Sequence, residues 1–289
     1  MGTQTKQAGL SQAVDTYLES LAAGGRAKTT LELYRGLLHR FAQALGENRS
    51  VGQVTTADAA AYLAALRLKS KSPAYPTTIT RVLKGFFTWL VETGELEANP
   101  MMAIRPRMPA WNPVPPYSDK EMRRLLEAAV SPMEKALIML LADTGMRASE
   151  LAGLRLEDID LDQGILWVMG KGGKRRRLAL NDQPRRAIAA YLLTAGLNNG
   201  RLWPERFQRQ HLRNLVYSVG KRAGVTRAFP HRFRHTFAMH FLAQTGNALA
   251  LQALLGHTSL IMVQRYIAAT QQEMALEAHR QHSPLDALV

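Results

Sequence analysis

Asn99-Pro100-Met101-Met102-Ala103-Ile104-Arg105-Pro106-Arg107-Met108-Pro109-Ala110-Trp111-Asn112-Pro113-Val114-Pro115-Pro116 divides the chain. Prolines at this spacing forbid a helix, because each lacks the amide donor and its ring collides with the preceding turn. They also stiffen the segment. Residues 99–116 therefore read as an interdomain linker, with one domain over 1–98 and another over 117–289. Arg105 and Arg107 suit a linker that follows a phosphate backbone, and equally an ordinary basic linker.

On the N-terminal side the apolar period is helical. Val14, Leu18 and Leu21 form a stripe over 11–24. Thr29 or Thr30 is placed to cap a second helix running to about Ala44, with Leu33, Leu37, Leu38, Phe41 and Leu45 inward. Thr56 is placed to cap a third, ending near Leu68, and Lys69 to Pro73 reads as a loop. Thr77 opens a fourth, with Ile79, Val82, Phe86, Phe87 and Leu90 inward, ending near Gly94. These elements make a compact four-helix module.

On the C-terminal side, Ser118 with Glu121 and Ser131 with Glu134 have the spacing of capping boxes. Pro132 stands at a first helical position, and a strongly apolar helix runs from it to Thr144-Gly145. Arg147 follows, then a short helix with Glu150 and Leu151. Ile165–Val168 and Arg177–Leu180 read as short strands joined by the flexible turn Gly170 to Lys174. Helices resume from Pro184, about Gln210, the His231 segment, Asn247 to Leu255, and Leu260 to Ala268. A further helix is expected after Tyr266. The expected fold class is thus mainly α, in two domains, the second mostly helical with a small antiparallel β-sheet.

The chain has 289 residues and 37 Lys and Arg against 23 Asp and Glu, a formal net charge of +14. The excess is spread: residues 1–115 hold 13 basic and 8 acidic residues, and residues 116–289 hold 24 and 15. Two basic modules on one duplex fit this distribution better than a single basic tail. An apolar content of 46% supplies a core. Without cysteine there is no disulfide, zinc thiolate or thiol nucleophile. No long apolar run suggests a membrane span and no signal peptide is evident, so the expected location is cytoplasmic.

The chemistry-bearing residues suit phosphodiester transfer. Arg147 and Arg234 offer forked donors for phosphate oxygens. Lys171, on a glycine-rich turn, is placed to protonate a leaving oxygen. His231 and His257 suit proton relay or phosphate bonding. Tyr266 offers a hydroxyl nucleophile whose ordinary pKa, about 10, demands nearby positive charge. Other readings are weaker. Gly170–Lys174 lacks the spacing of a nucleotide-binding P-loop. His231, His235 and His240 have no cysteine or intervening carboxylate to complete a zinc site. Asp158, Asp160 and Asp162 lack the glycine and glutamate positions of a calcium loop and read as a solvated turn. Lys174, Arg175, Arg176 and Arg177 read as a solvated face that also meets DNA phosphates.

At these residues the chain resembles the tyrosine recombinase, or phage integrase, family, most closely the bacterial Xer type. The first arginine motif appears as Ala142-Asp143-Thr144-Gly145-Met146-Arg147-Ala148-Ser149-Glu150-Leu151, and the lysine hairpin as Ile165 to Lys174. His231-Arg232-Phe233-Arg234 matches the His-x-x-Arg box. Leu254-Leu255-Gly256-His257 and Gln264-Arg265-Tyr266 complete the set. Met146, Met262 and Val263 depart from the commoner residues. The resemblance extends to the N-terminal module, which looks like the family's SAM-like core-binding domain.

The resemblance implies six catalytic residues: Arg147, Lys171, His231, Arg234, His257 and Tyr266. It implies a site-specific recombinase that cleaves and rejoins double-stranded DNA through a 3′-phosphotyrosyl link, for chromosome dimer resolution or for mobile-element or phage integration. No cofactor or metal is implied. The implied partners are duplex DNA with a specific site, a homo- or hetero-tetramer on two duplexes, and accessory proteins. A C-terminal tail docked on a neighbouring protomer is also implied. Rival readings are a type IB topoisomerase-like enzyme and a non-catalytic DNA-binding accessory protein.

Overall fold

In a computed structural model the chain forms two compact units, Met1–Asn112 and Pro113–Val289. The structure describes residues 9–70, 74–105, 114–170, 173, 175–197, 200–256, 267, 276 and 280. No helix among them is long and apolar enough to cross a membrane.

The first unit contains α1 (Leu10–Ala23), α2 (Lys28–Leu45), α3 (Thr56–Lys69) and α4 (Ala74–Glu92). Its core joins Leu10, Val14 and Leu18 of α1, Leu37, Leu38 and Phe41 of α2, and Ile79, Leu83, Phe86, Phe87 and Leu90 of α4. Phe41 meets Phe87 edge-on, with ring centroids 6.0 Å apart. Each such fully buried side chain contributes about 1.5–3 kcal/mol.

Leu33 departs from the expected inner face of α2 and is 48% exposed. Its place is taken by the partly buried Tyr34, which is in phase with Leu37, Leu38 and Phe41. The third helix is capped by Thr55, not Thr56. Thr55 accepts from the Asp58 N–H at 3.2 Å and the Asp58 carboxylate accepts the Thr55 N–H at 2.9 Å. Two helices begin earlier than expected, α2 at Lys28 and α4 at Ala74. Pro76 is compatible with the first turn of α4, where amides lack helical partners anyway.

Within the proline-rich stretch, Asn99 donates to the Thr88 hydroxyl at 2.9 Å and accepts from the Met101 N–H at 2.8 Å. Met101 is fully buried in the first unit's core, and Ile104 packs against that core.

The second unit contains α5 (Asp119–Ala128), α6 (Pro132–Thr144), α7 (Ala148–Ala152), β1 (Ile159–Asp160), β2 (Ile165–Met169), β3 (Arg175–Ala179), α8 (Asp182–Ala195), α9 (Arg209–Arg222), α10 (Pro230–Thr245) and α11 (Ala248–Leu255). Both expected capping boxes are present: Ser118 accepts from Glu121 at 3.2 Å, and Ser131 from Glu134 at 3.1 Å. The central helix α6 packs against α8 and α10 and buries Ala136, Leu137, Ile138, Leu140 and Leu141 completely. A helix apolar on several faces belongs inside a domain.

The sheet is antiparallel, in the order β1-β2-β3, with Val168 opposite Arg176. Its first strand has only two residues, too few to leave a period in sequence. Expected helices at Leu260 to Ala268 and after Tyr266 lie outside the described residues, apart from Ile267, Leu276 and Arg280.

Candidate active site

The described part of the site is built where α6, α7, α10 and α11 end or begin. Gly145 ends α6 in the left-handed conformation at φ +58°. This turns the chain so that Met146 is buried and Arg147 stands at the start of α7. Arg147 then lines a cleft of about 210 Å³ together with Arg209, His231 and Arg234.

Glu150 fixes Arg147 at two points. Its carboxylate accepts the Arg147 backbone N–H at 2.8 Å and the guanidinium Nη1 at 2.7 Å. A second guanidinium holds the same carboxylate: Arg176 donates through Nη2 at 2.8 Å and Nη1 at 3.1 Å. Burial pushes the Glu150 pKa up. The Arg176 hydrogen bonds, the Arg147 N–H, the Arg176 charge and the Arg147 side-chain hydrogen bond outweigh it, so the group lies below its ordinary value.

Arg234 is 2% exposed. Its Nη1 donates to the Gly145 carbonyl at 2.9 Å and its Nη2 to the Leu255 carbonyl at 2.8 Å. These are terminal carbonyls of α6 and α11, groups that lack helical donors and carry the negative end of each helix dipole. Arg147 also reaches the α11 end, with Nη2 at 3.4 Å from the Gly256 carbonyl.

His231 stands in the first turn of α10, exposed at the edge of the cleft. Partial enclosure of the ring, then the charges of Arg234 and Arg147, lower its pKa below the usual histidine value. It is therefore mainly neutral near pH 7. The cleft thus combines fixed positive charge with a neutral imidazole, the pairing needed to bind a phosphate and accept a proton.

Of the six expected site residues, the structure brings together Arg147, His231 and Arg234; Lys171, His257 and Tyr266 lie outside the described residues. Two further residues emerge. Arg209, at the first position of α9, lines the cleft, but no motif distinguishes it in the sequence. Arg176 corrects the expectation that residues 174–177 form one solvated face. Its neighbours on β3, Arg175 and Arg177, lie over Trp167 at 5.3 and 5.6 Å, whereas Arg176 turns inward to Glu150. Strand alternation, visible once β3 is known to begin at Arg175, is the signal that separates them.

The chain matches the phage integrase family over residues 117–273 and the phage integrase N-terminal SAM-like domain over residues 14–94. Tyrosine recombinase XerC of Serratia marcescens is 33% identical over 291 residues, spanning 92% of this chain and 93% of that one. Tyrosine recombinase XerD of Shewanella oneidensis is 30% identical over 293 residues, spanning 94% and 96%. In fold the chain is similar to lambda integrase, solved as a tetramer bound to a Holliday junction. The TM-score is 0.74 at 20% identity, over 91% of this chain and 78% of that one.

A helical SAM-like domain followed by a mostly helical domain whose cleft gathers three arginines and a histidine defines a DNA strand-transfer enzyme. The chain belongs to the phage integrase family, within its Xer-related tyrosine recombinases, and its activity is site-specific recombination.

Proposed function

We propose that the chain cleaves and rejoins duplex DNA at a specific site through Tyr266, with the scissile phosphate seated in the cleft of Arg147, His231 and Arg234. The observation behind this reading is the convergence of those three side chains, from segments far apart in sequence, on one basic cleft. The Tyr266 oxygen attacks phosphorus, and the bond to the 5′ oxygen breaks. His231, held neutral, takes the tyrosine proton, and Lys171 gives one to the departing 5′ oxygen. Arg147, Arg234 and His257 stabilise charge on the nonbridging oxygens. Attack by the 5′ hydroxyl of a partner strand reverses these steps and releases Tyr266. Bond energy is kept in the phosphotyrosyl link, so the sequence of steps uses neither ATP nor a divalent ion.

The lambda integrase tetramer on a Holliday junction supports assembly of four protomers on two duplexes. In this reading the protomers are alike or of two kinds and act in the cytoplasm, on the nucleoid. The test is covalent trapping. Wild type and Tyr266→Phe are incubated in chelator with a pool of nicked duplexes from the source genome, and the trapped ends are sequenced. Adducts at one sequence, absent with the variant, are expected. Specific binding without an adduct, even with partner proteins added, would point to an accessory DNA-binding protein.

A further inference from the structure

Glu150 is nearly inaccessible, with a side chain 6% exposed between Arg176, 12% exposed, and Arg147, 38% exposed. The arrangement is asymmetric. Arg176 places both terminal nitrogens on the carboxylate and its Nε on the Leu254 carbonyl at 2.7 Å. Its donors are thus directed into the protein. Arg147 gives one terminal nitrogen to Glu150 and remains partly open to the cleft.

Two positive charges share one negative charge here, which leaves the group cationic on its cleft side. With Arg147 as its only cation, the buried carboxylate would neutralise it and draw its guanidinium away from the cleft. A buried carboxylate deprived of one counter-charge takes what it can from the other. The tether to Leu254 also joins β3, the strand after Lys171, to the end of α11, just before His257.

We infer that Arg176 is a positioning residue for strand cleavage: it neutralises Glu150, so that the Arg147 charge remains available to the scissile phosphate, and it ties the lysine hairpin to the end of α11. Arg176 itself touches no reacting atom. The inference rests on the function proposed above, in which Arg147 binds that phosphate.

Three variants test it. Arg176→Met keeps the apolar stem and removes the charge. Arg176→Lys keeps the charge and loses the fork. Arg176→Met with Glu150→Gln removes both charges yet keeps an acceptor for the Arg147 N–H. Each is assayed for covalent adduct on the nicked-duplex pool, and the His231 ring is titrated by NMR without DNA.

Arg176→Met is expected to slow adduct formation about ten-fold or more, as for partial loss of one charge-stabilising group. It should also raise the His231 pKa, because the Arg147 charge is then cancelled by Glu150. Arg176→Lys should fall between it and wild type. The double variant should recover most of the rate and return the His231 pKa, which a purely structural role for Arg176 would not produce.

Wild-type rates in Arg176→Met overturn the inference. So does a double variant as slow as Arg176→Met when both melt at the same temperature. If Arg176→Met does not fold, Arg176→Lys and the double variant decide by the same criteria. A wild type that forms no Tyr266-dependent adduct overturns the functional reading instead. The His231 titration then decides for Arg176 alone, and a pKa that does not move between variants counts against it.

Discussion

Arg232 lies over the ring of Tyr117, its guanidinium carbon 4.0 Å from the ring centroid. Although it sits inside the His-x-x-Arg box, it points away from the cleft. Its Nε donates to the Pro115 carbonyl at 2.9 Å, Nη1 to the Thr226 carbonyl at 2.9 Å, and Nη2 to Glu121 at 2.9 Å. Thus α10 presents His231 and Arg234 to the site and uses Arg232 to fix the entering chain.

Arg232→Met should therefore cost about 3 kcal/mol, because it strands a carboxylate and several carbonyls that Arg232 satisfies. Burial raises the Glu121 pKa, but the Ser118 N–H and then Arg232 outweigh it, and the net shift is downward from 4.5. A depressed carboxylate pKa stabilises the fold above 4.5 and loses that contribution as pH falls through the folded value. The stability gap between wild type and variant, from urea unfolding, should accordingly narrow below pH 4.5. A gap that widened there would contradict the assignment.

Gly145→Ala should damage fold and site together. At φ +58° a Cβ would lie 2.5 Å from Phe237 Cδ1 and 2.8 Å from its Cγ. The left-handed strain and the collision together should cost about 3 kcal/mol. Displacement of the Gly145 carbonyl would also release one of the Arg234 anchors. Gly196 is the matched control, at φ +63° with nothing within 4 Å of a Cβ. There, alanine should cost only about 1 kcal/mol and leave cleavage unchanged. Chemical denaturation and adduct formation on both variants provide the comparison.

Local signals account for most of what could be read in the sequence. The serine–glutamate boxes fixed the starts of α5 and α6, since each places two reciprocal hydrogen bonds at definite spacing. Leu33 failed because apolar character alone does not set helical phase; the partners in the fold do. Proline spacing excluded a helix after Asn99 but did not indicate which unit would bury Met101. In the site, Arg147, His231 and Arg234 were legible because short motifs contain them. Arg209 and Arg176 were not. The first reaches the cleft only through the placement of α9, and the second is hidden in a basic run whose inward member depends on strand register.

Arg209→Gln should weaken duplex binding while leaving the fold intact. Arg209 is exposed at the start of α9 and lines the cleft with Arg147 and Arg234. An arginine in that position meets a phosphate at the expense of a bound counterion. Its removal should lower the slope of log affinity against log salt by about one. Binding titrations at several salt concentrations test this. An unchanged slope would place Arg209 outside the DNA footprint.

The pH dependence of cleavage should report His231. In the free protein, ring enclosure and then Arg234 and Arg147 hold its pKa below 6.5, so the base form persists down to that pH. Single-turnover cleavage at subsaturating DNA reports the free protein and should stay flat from about pH 8 to 6.5, then fall as His231 is protonated. A phosphate in the cleft adds negative charge that favours the imidazolium, so at saturating DNA the inflection should move upward. His231→Asn should remove the inflection under both conditions and slow cleavage about 100-fold, the scale of a lost general base. An inflection that persisted in His231→Asn would assign the titration to another group and transfer the role of proton acceptor from His231 to it.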